Sequence, residues 1–192
     1  MSSGQQSRRR RDPAKTRLAI IDALLAAIAD GDFAPTTRDV AARAGASERS
    51  VFVHFADREA LLVAAVERQS ELVEACLIEP DPARPLAERI ISAVRQSAAI
   101  FDLQRTPRLP GLQESRTVAA IDARMRATDH TIRATLGRLF APELGTDPEL
   151  LDLLDGTLAW PMRHHLEDRR GLTREQADAT LVRALDALLA QR

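Results

Sequence analysis

Residues 36–62, TTRDVAARAGASERSVFVHFADREALL, constrain this chain more than any other stretch, because they place two helix starts and one helix stop close together. Thr36 followed three residues later by Asp39 is a capping-box pattern, in which the hydroxyl accepts from a first-turn N–H and the acid reaches back to the cap. Val40, Ala41 and Ala44 then fall on one face. Gly45 ends that helix, since a residue without Cβ takes the left-handed backbone that a helix C-terminus favours, and Ser47 caps a second helix running to about His54. A turn of about three or four residues between two such helices predicts a helix-turn-helix. Asp57 is placed to cap the next helix, with Arg58 just inside it.

At about 100° per residue, Val51, Phe52 and Phe55 lie to one side of the second helix, and that side is expected to pack inward. Arg49, Ser50, Val53 and His54 spread over the other. A guanidinium, a hydroxyl, an imidazole and a methyl-bearing side chain are groups that read base edges and thymine methyls in a major groove. The same spacing also suits a small-residue hairpin within a larger bundle. Upstream, Arg8, Arg9, Arg10 and Arg11 sit in a polar arm, residues 1–11, that buries nothing. Such an arm neutralises phosphates or enters a minor groove when it lies beside DNA, and is otherwise a solvated tail.

These residues bring the chain close to a known pattern: the run resembles the DNA-binding signature of the TetR family of bacterial transcriptional repressors. Val40-Ala41, Ala44-Gly45, Ser47, Phe52-Val53-His54-Phe55, Arg58 and Glu59-Ala60-Leu61 stand where that signature has its aliphatic-Ala pair, Ala-Gly turn, Ser, aromatic cluster, basic residue and Glu-Ala-Leu. Arg49-Ser50 replaces a common Gly-Thr, and Phe52 replaces the commonest Tyr, so a phenol that often reaches a phosphate is missing. The resemblance covers roughly residues 15–66. It implies DNA contacts from the arm, from Thr37 and Arg38, from Ser47, Arg49, Ser50, Phe52, Val53 and His54, and from Arg58. It also implies repression of transcription, a homodimer formed through the last two helices on palindromic operator DNA, release by a small-molecule effector, and a cytoplasmic bacterial setting.

The rest of the chain is expected to be helical throughout. Hydrophobic residues make up 45% of the sequence but are largely Ala and Leu, Tyr is absent, and no alternating strand run is visible. Asp12 and Pro13 supply cap and first-turn residue for a helix with the stripe Leu18, Ile21, Leu24/Leu25, Ile28, which Gly31 ends. A long helix over about 58–78 follows the helix-turn-helix; the resemblance makes it the strut to a second helical domain. The proline-rich residues 79–85 stop it and mark an operational boundary, although the strut belongs to both parts. Beyond them the spacing predicts helices over about 86–104, within 112–140 after a break at 106–111, over 148–170 with a kink or split after Trp160 at Pro161, and from a Thr173/Gln176 capping box to the end. The fold expected is thus all-α: a basic arm (1–11), a three-helix DNA-binding head (12–57) and a helical ligand-binding and dimerisation domain (58–192).

The net charge of −1 excludes a wholly basic protein, but Arg8 to Arg11, Lys15 and Arg17 stand against Asp12 alone at the N-terminal end. A single Cys76, on the apolar stripe of the 58–78 helix, forms no internal disulfide and suits a reducing compartment as a buried thiol. No run approaches about 18 apolar residues, so no membrane span is expected. No catalytic group is signalled either: the adjacent His164 and His165 diverge by about 100° on a helix and do not share a metal, and there is no phosphate loop, nucleophile elbow or His-Glu-x-x-His helix. No enzyme activity, metal or cofactor is expected. A ligand site is expected among the helices over 86–104, 112–140 and 148–170, with Phe101, Met125 and Trp160 as candidate walls and His130 and Arg163 as candidate polar handles; these are equally readable as core residues. The alternative to a DNA-binding regulator is a helical ligand-binding or adaptor protein whose head does not read DNA.

Overall fold

A computed structural model describes residues 12–190, all of whose regular structure is helical. The chain divides between Ala65 and Val66 into two compact units. In the first, α1 (Pro13–Ala29), α2 (Thr37–Arg43), α3 (Glu48–His54) and the start of α4 (Arg58–Glu74) surround a core of Ile20, Leu24, Val40, Val51, Phe55 and Leu61 with their neighbours. Asp12 caps α1 by accepting from Ala14 N, and Pro13 sits where its missing N–H has no partner to lose. Leu18, expected on the buried stripe, is 42% exposed, whereas Ile21, Leu24 and Ile28 are buried as expected and Ile20 joins them.

The second unit holds the rest of α4, then α5 (Leu86–Gln104), α6 (Arg108–Glu114), α7 (Ala119–Leu139), the single turn α8 (Ala141–Leu144), α9 (Pro148–Leu158), α10 (Trp160–Arg163) with a π-helical turn (His164–Arg169), and α11 (Arg174–Leu189). Its core runs through Ile90, Val94, Leu136, Phe140, Leu154, Leu181 and Leu185, so the buried face of α11 is part of this core. α4 ends four residues earlier than the spacing predicts. Its last amides, Cys76 N to Val73 O (3.0 Å) and Leu77 N to Glu74 O (3.1 Å), tighten into three-residue turns, which leaves Cys76 half-buried in a turn rather than on a helical stripe. α6 starts inside the expected break, because Pro107 precedes it and Pro110 falls in its first turn, where a proline costs no helical bond.

The split at Pro161 lies one residue earlier than expected. Ala159 is extended (φ −65°, ψ 155°) and Trp160 opens α10, so Pro161 again occupies a first turn. The break frees the carbonyl of Leu158, which accepts from Ser97 Oγ at 2.7 Å; Arg163 Nε in turn donates to that hydroxyl at 2.9 Å. Arg163 is wholly buried, and its remaining donors go to Glu167 (3.0 Å), Asp178 (2.6 Å) and the carbonyl of Val94 (2.7 Å). Arg89 does similar work at the end of α7. It donates to the carbonyl of Leu139 at 3.0 Å, where a cation suits the helix C-terminus, and to both oxygens of Glu143 at 2.6 and 2.5 Å.

Candidate nucleic-acid interface

Local chemistry builds the α2–α3 corner. Asp39 N donates to Thr36 Oγ1 (3.2 Å) and Thr36 N to Asp39 Oδ2 (3.3 Å), closing the capping box. The hydrogen bonds from Thr36 hold the Asp39 carboxyl below its usual value. Gly45 has φ +62° and open space where a Cβ would stand, so the backbone rather than crowding demands glycine there. Ser50 N donates to Ser47 Oγ at 3.1 Å, and Ala60 N to Asp57 Oδ1 at 2.8 Å, so α3 and α4 each begin on the residue the sequence marks. Arg17 lies 5.0 Å over the Phe55 ring, and Arg43 pairs with Asp30 at 2.7 Å.

α3 is seven residues long and buries only Val51 along its length, with Phe55 buried at its C-cap. Those two lie within about 40° of each other on the helical wheel, whereas Phe52 stands about 100° from Val51. Phe52 therefore does not pack inward with them: it is 61% exposed. Val53 is 72% exposed, Arg49 and Ser47 are exposed, and Ser50 and His54 are half-buried. Val53 thus presents to solvent a group of the kind that meets a thymine methyl.

The candidate residues gather in two places. Ser47, Ser50, Val53 and His54 line a shallow open depression together with Pro13 and Thr16 of α1. Thr37, Phe52 and Arg58 line a smaller cleft beside Phe33 and Asp57. Arg38, on the first turn of α2, and Arg49 line neither and are exposed. Arg8, Arg9, Arg10 and Arg11 lie outside the described residues. The sequence alone gave no sign that Pro13, Thr16 and Phe33 border these surfaces, because only the fold brings α1 and the loop after it beside α3. Chemically, the first patch offers hydroxyls, an imidazole and a methyl surface, and Arg49 and Arg58 offer planar donors suited to phosphate or guanine.

Within the second unit a cavity of about 250 Å³ opens among α5, α7, α9 and α10. Phe101 and Trp160 line it, with their rings 6.1 Å apart. The other three candidates for a ligand site do not. Met125 packs beside Gly111, His130 is exposed, and Arg163 is consumed by the buried hydrogen bonds described above. Polar lining comes instead from Gln96, Gln104, Arg108, Asp129 and Asp155, residues the spacing argument passed over. Gln96 and Gln104 are nearly fully buried on α5, and two glutamines eight residues apart on an otherwise apolar face are the signal that could have found them. No helix of the described residues is long and apolar enough to cross a membrane.

Residues 20–65 match the family model described as bacterial regulatory proteins, tetR family. No curated protein matches the sequence significantly. Among solved structures, the fold is similar to a putative TetR-family transcriptional regulator from Mesorhizobium loti (18% identity, 93% of this chain and 96% of that one, TM-score 0.71). It is also similar to a transcriptional regulator from a Rhodococcus species (22%, 93% and 96%, 0.72) and to a tetR-family transcriptional regulator from Streptomyces coelicolor (19%, 92% and 81%, 0.73).

Proposed function

We propose that this chain, whose residues 20–65 carry the tetR-family DNA-binding sequence on a fold shared with TetR-family regulators, is a transcriptional repressor that leaves its operator when a small molecule binds the second unit. The observation that carries the reading is the capped α2–Gly45–α3 corner, with Arg49 and Val53 exposed on a helix whose inward face is spent on Val51 and Phe55. Residues 12–57 form the DNA-reading part, with Arg49 on a base edge, Ser47, Ser50, Val53 and His54 around it, and Arg38 and Arg58 on phosphates. The arm with Arg8 to Arg11 adds phosphate or minor-groove contacts.

One head meets too little DNA for tight specific binding, so the working form is a homodimer, with two heads about 34 Å or a multiple of it apart on a palindrome. It joins through the helices over 148–170 and from Thr173 onward, α9 to α11, and acts in the bacterial cytoplasm. The effector works only through differential affinity for two arrangements of the protein, and α4, which passes from one unit into the other, is the element that carries the difference. In the second unit α4 is held by polar bonds: Arg124 donates to Glu67 (2.7 Å) and Glu74 (2.8 Å), and Gln69 donates to the carbonyl of Leu103 (2.8 Å). No catalytic role is proposed.

A salt titration of binding to random duplex tests the reading. A DNA-binding head gives log affinity falling linearly with log salt, by about 0.9 per phosphate neutralised. A response without slope would replace this reading with that of a helical ligand-binding or adaptor protein.

A further inference from the structure

The cavity in the second unit has an imbalance of charge. Arg108 Nη2 donates to both oxygens of Asp129, at 2.8 and 3.1 Å, so that pair is balanced. Asp155 is not. Its nearest cation, Arg133 Nη1, stands 3.7 Å away, and the same guanidinium is committed to Asp152 at 2.6 Å. Burial raises the Asp155 carboxyl above the usual carboxylate value in spite of Arg133, and Asp129 and Asp152 push the same way. Asp152 and Asp155 thus share one guanidinium, so carboxylates outnumber cations on this side of the cavity. Apolar and aromatic surface surrounds it, from Phe101, Ile132, Leu158 and Trp160.

Trp160 adds an independent sign of a guest. Its Nε1 is, among the described residues, the buried side-chain nitrogen or oxygen with no hydrogen-bond partner. A buried donor left unpaired is costly, and natural proteins leave few of them. A ring oxygen on a bound molecule would give it a partner. Size limits the guest. A cavity of about 150 Å³ holds benzene, so one of about 250 Å³ has room for a ring and a short arm.

We propose that this cavity binds a small ring-bearing amine, its ring against Phe101 and Trp160 and its protonated nitrogen beside Asp155. The assignment rests on the reading of the second unit as an effector domain and names the chemical class of that effector. An anionic guest is excluded by Asp155 and by the absence of any lining cation other than Arg108, which Asp129 already occupies. A neutral guest of the same shape fills the apolar part but leaves Asp155 as it was.

Trp160 is the sole tryptophan and there is no tyrosine, so emission excited in the full-length protein reports on this cavity wall. Three probes of matched size, each with a ring hydroxyl able to accept from Trp160 Nε1, separate the classes: tyramine, 2-(4-hydroxyphenyl)ethanol and 3-(4-hydroxyphenyl)propionate, with excitation at the red edge of the tryptophan band where phenols do not absorb. The amine is expected to change Trp160 emission saturably, the alcohol to bind at least about tenfold more weakly, and the carboxylate not to bind below millimolar concentration. Asp155→Asn, half-exposed and outside the core, is expected to lose about tenfold for the amine and to leave the alcohol unchanged. No saturable response to the amine, equal affinity for all three probes, or unchanged amine affinity in D155N each overturns the assignment. The titration contains no DNA, so its failure leaves the DNA-binding reading untouched. Amine binding that discriminates as stated but never alters operator affinity overturns the effector reading and keeps the ligand class.

Discussion

Arg163 separates two accounts of the same residue. As a ligand handle its loss would weaken effector binding and leave stability alone; as the buried strut seen in the structure its loss should unfold the second unit more readily. Arg163→Met removes a wholly buried guanidinium and leaves Glu167, itself 8% exposed, with only the longer 3.7 Å contact to the exposed Arg105 in place of the partner 3.0 Å away. Breaking a buried pair from one side costs about 3–5 kcal/mol, because the remaining charge is desolvated and poorly compensated. Loss of the donors to Ser97 and to the Val94 carbonyl acts in the same direction. With a urea slope of about 2 kcal/mol/M, the unfolding midpoint should fall by about 2 M. The measurement is urea denaturation followed by circular dichroism, with variant and parent at equal protein concentration, since dimerisation contributes to apparent stability. Adding Glu167→Gln to R163M should recover part of the loss by removing the stranded charge. A midpoint shift below about 0.5 M, or no recovery in the double variant, would refute the strut.

Other outcomes follow from the same structure. Arg49→Ala should cost about 1–3 kcal/mol on the selected operator and relax one position per half-site, while Arg58→Ala weakens all sequences alike; binding assays on operator and scrambled duplex check both. Leu153→Glu, at a 54%-exposed position of α9, should shift sedimentation from dimer to monomer, whereas Leu109→Glu, equally exposed on α6, should not. Removing the chain after Gly171 is the poorer test, because α11 supplies Leu181 and Leu185 to the core and its loss would unfold the unit. Hydrogen bonds from Arg89 hold Glu143 below the carboxylate value of 4.5, so its stabilisation is present above that pH and lost as pH falls through the lowered value. Glu143→Gln should accordingly flatten the acid side of the stability curve, and a slope unchanged below about pH 4.5 would count against the pair.

Helix starts were legible wherever a side chain within three residues decides them. Asp12, Thr36 with Asp39, Ser47, Asp57 and Thr173 with Gln176 all cap as their spacing implies, and Gly45 turns the corner it was expected to turn. What the sequence did not reveal lies between residues far apart in the chain. Arg89 meets Glu143 and Arg163 meets Ser97 only once α5, α8 and α10 are packed, and no periodicity announces such pairs. Prolines misled in a consistent way. Pro110 lies in the break expected at 106–111 and Pro161 after the split expected at Trp160, but both stand in first turns, so α6 begins earlier and the break falls at Ala159. Phe52 was assigned to the inward side with Val51 because a wheel ranks directions without saying how many neighbours a seven-residue helix has. In the second unit, Phe101 and Trp160 were findable as bulky residues, whereas Asp129 and Asp155 resembled solvated helix positions until the cavity placed them on its lining.

Everything proposed for the first unit rests on α3 reading sequence in DNA. Sequencing the duplexes retained by the full-length protein from a random pool measures this directly. An enriched palindrome is expected, with half-sites one helical turn or a multiple of it apart, losing preference at a single position per half-site in Arg49→Ala. A retained pool indistinguishable from the input, or an enriched motif identical in R49A, would contradict it.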